Sequence, residues 1–306
     1  MSRTIVSRTI VLCAALFGAA SLVQPIASWA VPISLQAGRD ATIFENAFLS
    51  GGNGATNSNG AGPGMFAGSN SNQSPRRGLL SFDVSAIPTG STITSAQVQL
   101  TVGQIAGSGG SGSGGDQITR TIDLFKLNTD WGQGTTGSTA TMIGGTGQGF
   151  PGNPGDATWT DNKLGQSQWT TPGALGNTDG VASASTQIQG GLPVGGAQNQ
   201  TFTWGSTPQL VADVQSWVNN PSINFGWLIK NVDEVDNPAT PSVNEGFQTF
   251  RAFYTKEAEA QGLGTGPRLL LEYTPTPVPV PAAVWLFGSG LAAIVGLARR
   301  NINQKV

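Results

Sequence analysis

The chain has 306 residues, with 44 glycines, 10% charged residues, no histidine and a single cysteine, Cys13. That excludes Ser-His-Asp and Cys-His catalysis, histidine proton shuttles, histidine-ligated metals and a disulfide framework. Five of the 15 basic residues (Arg3, Arg8, Arg299, Arg300, Lys305) lie near the ends and all 17 acidic residues lie between them, so the central segment carries about −7, which argues against nucleic acid as a partner.

Residues 1–30 have the parts of a secretory signal. Arg3 and Arg8 form a basic start, 10–20 is an apolar run, and Ser28-Trp29-Ala30 sets small residues before a cut after Ala30. A retained anchor is the other reading. Residues 31–274 are expected to form one β-domain. Its first strand is placed at 33–44 by alternating apolar residues. Residues 50–74, rich in Gly, Asn and Ser, are expected to be a long loop, either solvated or offering oxygens to a cation or a sugar. Residues 76–83 read as a strand and Ile87-Pro88-Thr89-Gly90 as a turn. Residues 92–102 alternate most clearly: Thr94, Ala96, Val98, Leu100 and Val102 share the face expected to meet a core, and Ile93, Ser95, Gln97, Gln99 and Thr101 share the other.

A Gly/Ser stretch at 107–115 and a strand at 119–127 follow. Residues 131–155 are loop-rich, and Trp159 and Trp169 punctuate polar turns. A short strand is expected at 201–204. Leu210, Val214, Trp217 and Val218 have helical spacing, started near Ser206-Thr207-Pro208. The last strands fall at 224–230, 247–255 and 268–273. Residues 275–281 are a Pro-rich extended spacer, and 282–306 an apolar segment with a basic end. Short strands, Gly/Pro/Asn turns and little helix predict an all-β, antiparallel β-sandwich of jelly-roll type with long Gly-rich loops. A signal helix and a C-terminal transmembrane helix are expected to flank it.

Indole faces stack on sugar rings. Trp217 and Trp227 are expected in the core by context, whereas Trp131, Trp159 and Trp169 lie among loops and are candidate sugar platforms, with burial as the alternative. Calcium is the ion best matched to a chain of oxygen ligands. Asp40, Glu45, Asp83 and Asp130 lie near expected strand ends. Asp233-Glu234-Val235-Asp236-Asn237 is the densest acidic run, read either as ligands (Asp233, Asp236) or as a solvated loop. No carboxylate pairing for a glycosidase can be read from the sequence, and a lyase built on Arg251, Tyr254 and Lys256 is set against an ordinary strand.

Three stretches together resemble a DNRLRE-domain protein. The first is Arg-Gly-Leu-Leu-Ser-Phe-Asp-Val-Ser-Ala-Ile-Pro at 77–88, continuing through 92–98. The second is Val-Ala-Asp-Val-Gln-Ser-Trp-Val at 211–218 with Asn-Phe-Gly-Trp-Leu-Ile-Lys at 224–230. The third is Phe-Arg-Ala-Phe-Tyr-Thr-Lys-Glu at 250–257, closed by Pro-Arg-Leu-Leu-Leu-Glu-Tyr at 267–273. That family is similar to alginate-binding carbohydrate modules. The resemblance implies a non-catalytic β-sandwich that meets polysaccharide, with Arg251 and Lys256 as further contact residues. Lys256 stands where the family pattern has Arg, which keeps the charge and loses the fork.

The tail at 278–300 resembles a PEP-CTERM sorting signal, carried by Pro279, Pro281, Trp285, Gly288, Gly290, Arg299 and Arg300, with Val280 in place of the Glu of the namesake Pro-Glu-Pro. Its run of about 17 uncharged residues is near the lower limit for a spanning helix, and the terminal basic residues would stay inside. A simple tail anchor and a core helix are the alternatives. The resemblance implies recognition by an exosortase, transient residence in the inner membrane and delivery to the surface or matrix of a Gram-negative bacterium. The expected function is non-catalytic binding of exopolysaccharide by an exported protein. A structural or adhesive envelope protein without a sugar site is the alternative, and a polysaccharide lyase or glycosidase the third reading.

Overall fold

The computed structural model describes residues 29–45, 54–70, 73–106, 116–191, 197–234 and 248–276, together with Phe287, Gly290 and Ile294. The strands are β1 (Val31–Phe44), β2 (Asn57–Asn59), β3 (Gly64–Ser69), β4 (Pro75–Phe82), β5 (Thr92–Ile105), β6 (Arg120–Leu127), β7 (Phe150–Pro151), β8 (Asp161–Lys163), β9 (Ser167–Gln168), β10 (Thr178–Ile188), β11 (Thr201–Trp204), β12 (Trp227–Asn231), β13 (Arg251–Tyr254) and β14 (Arg268–Thr274). Two short helices join them, α1 (Pro208–Asn219) and α2 (Lys256–Ala260).

The chain is mainly β, and its strand pairs are antiparallel. Six strands close on themselves in the order β4–β3–β13–β5–β14–β1 and back to β4. Strands β12, β6 and β10 continue outward from β4, and β11 lies on β5. Closure depends on β1. Its first half pairs with β14 (Val31↔Tyr273 to Gln36↔Arg268), its second half with β4, and the register shifts between Ala37 and Arg39. One bent strand thus serves two neighbours, which removes two exposed edges.

Alternation along the shared strands feeds two cores. Leu80 and Phe82 of β4 and Trp227 and Ile229 of β12 enter the main core inside the ring. Leu79 and Leu228 point the other way, into a second core with Ala41, Ile43, Leu127, Trp131 and Trp169. Helix α1 closes the main core. Its Leu210, Val214, Trp217 and Val218 are all buried, as their spacing predicts, each by about 1.5–3 kcal/mol of transfer free energy. Thr207 caps it by accepting from Leu210 N at 3.0 Å, and Pro208 fills the first turn. The buried Asp213 fixes the helix to the sheet by accepting from Trp227 Nε1 at 3.0 Å, and the rings of Trp217 and Trp227 meet edge-on with centroids 4.5 Å apart.

Several expectations are corrected. The Gly/Asn-rich region is not one long loop: β2 and β3 are strands buried at every residue. Only Met65 and Phe66 signal a core there, and the glycines hide the strand by supplying no side chain while permitting close backbone approach. In β5, Ala96, Val98, Leu100 and Val102 do face the core, but a register shift before Tyr273↔Ile93 leaves Thr94 unpaired. Ile93 is therefore buried and Thr94 exposed, the reverse of strict alternation. Strand β10 (178–188) shows no apolar alternation in the sequence, because the polar Ser183 is buried beside Ala184 while Val181 is exposed. The segment at 247–255 is strand only over Arg251–Tyr254 and turns at once into α2.

No helix among the described residues is long and apolar enough to cross a membrane. The signal peptide at 1–28 and the sorting residues Pro279, Pro281, Trp285, Gly288, Arg299 and Arg300 lie outside the described residues. Gly290 is helical, as are Phe287 and Ile294, which are exposed.

Candidate functional site

Trp131 and Trp169 do not form a sugar platform. Trp131 is 0% and Trp169 4% exposed, because the turn-rich segment folds back over β4, β12 and β6 and completes the second core. Their indole N–H groups are satisfied internally, Trp131 donating to Phe225 O and Trp169 to Thr158 O, both at 2.8 Å. Trp159 is half-buried, with the Arg77 guanidinium 4.6 Å from its ring centre, so a cation occupies one of its faces.

Arg251 is likewise not at the surface. It is fully buried, donating to Asp116 Oδ2 at 2.8 Å and to Ile118 O at 2.7 Å. Arg120 binds the same Asp116 at 2.9 Å and reaches Asp233 at 3.4 Å. Two guanidiniums on one carboxylate explain part of the acidic run at 233–236. Its Glu234 turns inward and binds Arg77 Nε at 2.8 Å and Lys230 at 3.0 Å. Asp233 and Glu234 are thus counter-charges for buried cations, and Asp236 lies outside the described residues. Lys256 places its ammonium on Glu257 Oε1, beside its own backbone.

The remaining candidate calcium ligands are dispersed. Asp130 bridges Arg39 at 2.9 Å and Lys163 at 2.7 Å; burial alone would raise its carboxyl, but these hydrogen bonds outweigh it and hold it below the ordinary value. Asp83 is exposed and accepts from Ser85 N at 2.9 Å, which lowers its carboxyl. Glu45 sits near Arg76, whose guanidinium burial pushes down to about 9 against the pull of Glu45. Among the described residues no three acidic, histidine or cysteine side chains gather in one place.

Asp40 differs from all of these. It is 1% exposed, and burial first, then the charge of Glu257, pushes its carboxyl up to about 8. Glu257 comes from the first turn of α2. Thr255 caps that helix, accepting from Ala258 N at 3.1 Å and donating to Gly62 O at 2.8 Å, which fixes the direction in which Glu257 points. Asp40 Oδ2 accepts from Lys256 N at 3.0 Å, and Glu257 Oε1 from Gln133 Nε2 at 3.0 Å. Asp40 Oδ1 and Glu257 Oε2 are buried with no hydrogen-bond donor among the described residues. The two carboxyls are close enough for the charge on Glu257 to push the Asp40 carboxyl up. Glycosidase pairs stand about 5 Å or more apart around a sugar, so this enclosed pair does not suit that chemistry. The sequence did hold a signal for Glu257: a Thr followed by Lys-Glu-Ala-Glu-Ala is a helix start.

The outer face of the ring carries polar pairs beside apolar residues. On the outer face of β11, β5, β14 and β1, Thr201 meets Thr101 at 2.9 Å and Gln99 donates to Thr203 at 3.3 Å. Beside them is a shallow recess of about 370 Å³, lined by Ser34, Ser95, Gln97, Leu270 and Glu272 among others.

The chain matches no model of a known protein family, and no curated protein matches it.

Proposed function

We propose that this chain is an exported, exosortase-sorted surface or matrix protein of a Gram-negative envelope, whose β-domain has a structural or adhesive role without catalysis. One observation carries the non-catalytic, structural part. The aromatic and cationic side chains that a sugar site would use, Trp131, Trp169 and Arg251, are spent inside the fold, the indole N–H groups on backbone carbonyls and the guanidinium on Asp116. The export route rests on the leader at 1–30 and on the resemblance of 278–300 to a sorting signal.

A second reading is non-catalytic contact with exopolysaccharide, within a jelly-roll sandwich of the DNRLRE type. It is supported by the recess at Ser95 and Gln97, where Ser34, Ser95, Gln97 and Glu272 offer hydrogen bonds beside the apolar Pro32, Ile33, Leu270 and Leu271, with no stacking ring.

A glycan array with the purified protein, run with calcium and with chelator, separates the two. Absence of retention at concentrations that saturate known modules supports the structural role. Retention that Gln97→Ala or Glu272→Ala abolishes overturns it in favour of the sheet face. Mass spectrometry of the exported protein tests sorting: an end lacking Lys305 and Val306 supports processing, and an intact end counts against it.

A further inference from the structure

We propose that Asp40 and Glu257 bind a calcium ion, with Asn59 as third oxygen donor, where β1, β2 and the start of α2 meet. The three side chains share one arrangement: one polar atom is fixed by the protein and one oxygen is left over. Asp40 holds Lys256 N through Oδ2, Glu257 holds Gln133 Nε2 through Oε1, and Asn59 donates from Nδ2 to Gly64 O at 2.7 Å. The second oxygens, Asp40 Oδ1, Glu257 Oε2 and Asn59 Oδ1, are buried and meet no donor among the described residues. Asn59 pairs with Thr42, two residues along β1 from Asp40, which places it diagonally across the same sheet face.

Two adjacent carboxylates in a buried place need either a shared proton or a counter-charge. The Lys256 ammonium lies on Glu257 Oε1, which leaves Asp40 Oδ1 and Glu257 Oε2 without a donor among the described residues. Hard oxygens from three separate elements, with no nitrogen or sulfur donor, match calcium rather than a transition metal; water or carbonyls complete its usual shell.

The test is calorimetric titration of the full chain in detergent, freed of metal by EGTA, with CaCl2 and separately with MgCl2, plus thermal melts. One calcium per chain is expected, with Tm raised by about 5–10 °C at a hundredfold excess over Kd, and a weaker response to magnesium. Asp40→Asn and Glu257→Gln should each weaken binding at least about tenfold. Absence of heat and of any Tm change overturns the proposal. In that outcome the pair shares a proton, and Tm falls as pH rises from about 4 to about 8 equally in calcium and in EGTA. Calcium binding undiminished in both variants also overturns it.

Discussion

Arg76, Arg77, Arg120 and Arg251 are each 2% exposed or less. A buried guanidinium is stable only with partners in place, and removing one partner leaves an uncompensated charge. Glu234→Ala should therefore cost about 3–5 kcal/mol in urea unfolding, since it strands both Arg77 and Lys230. The double replacement Arg77→Met with Glu234→Leu should recover most of that loss. Acid acts through other residues. At Asp116, burial raises the carboxyl but hydrogen bonds from Arg120 and Arg251 outweigh it, so its value in the folded protein lies below 3.8. A depressed carboxyl stabilises the protein above its unfolded value and loses that contribution as pH falls through the folded one. Melting temperature should thus drop as pH is lowered below about 4, where Asp116 and Asp130 take up protons. None of these pairings was legible in the sequence: Arg77 and Glu234 are 157 residues apart, and nothing local marks either as buried.

Among the elements, those with a full hydrophobic period were legible. Helix α1 displayed its apolar stripe, its Thr207 cap and its Pro208 start, and it forms as read. Thr207→Ala should lower stability by about 0.5–2 kcal/mol, measured as a shift in denaturation midpoint. The loss should fall toward the upper end, because the same hydroxyl donates to Ser183 O and ties the helix to β10. Strand β3 was illegible because its information is steric rather than hydrophobic. Gly68 has φ +118°, and a Cβ there would fall 2.6 Å from Phe250 Cα. Gly68→Ala should cost about 1–3 kcal/mol from backbone conformation alone, before the clash is counted, and should expose Phe66 and Phe250 to a hydrophobic dye. Helix α2 has five residues, too few for any period, so the position of Glu257 could be inferred only from its cap.

Across the whole molecule, β4 and β12 supply side chains to both cores, so neither core can come apart without the other. Unfolding should follow one transition, with far-ultraviolet circular dichroism and tryptophan fluorescence coinciding. Trp131 and Trp169 report on one core, and Trp204, Trp217 and Trp227 on the other. Separate midpoints would show the cores to be independent. The β class was readable from turn spacing and composition. The closure was not, because it depends on a single bend in β1 and on pairing between the two ends of the domain.

That end-to-end pairing governs the order of events when the polypeptide is delivered amino end first. The initial strand finds its β14 partner only after residue 274 has emerged, since Val31 lies opposite Tyr273. A chain threaded through a narrow pore would therefore finish the passage open, with the seven-residue β14 as the latch. A truncation ahead of Arg268 would leave β1 and β5 as bare edges, ready to capture strands from other copies. The same pairing sets Val31 beside Tyr273, so the first and last strands of the domain begin and end on one side of it.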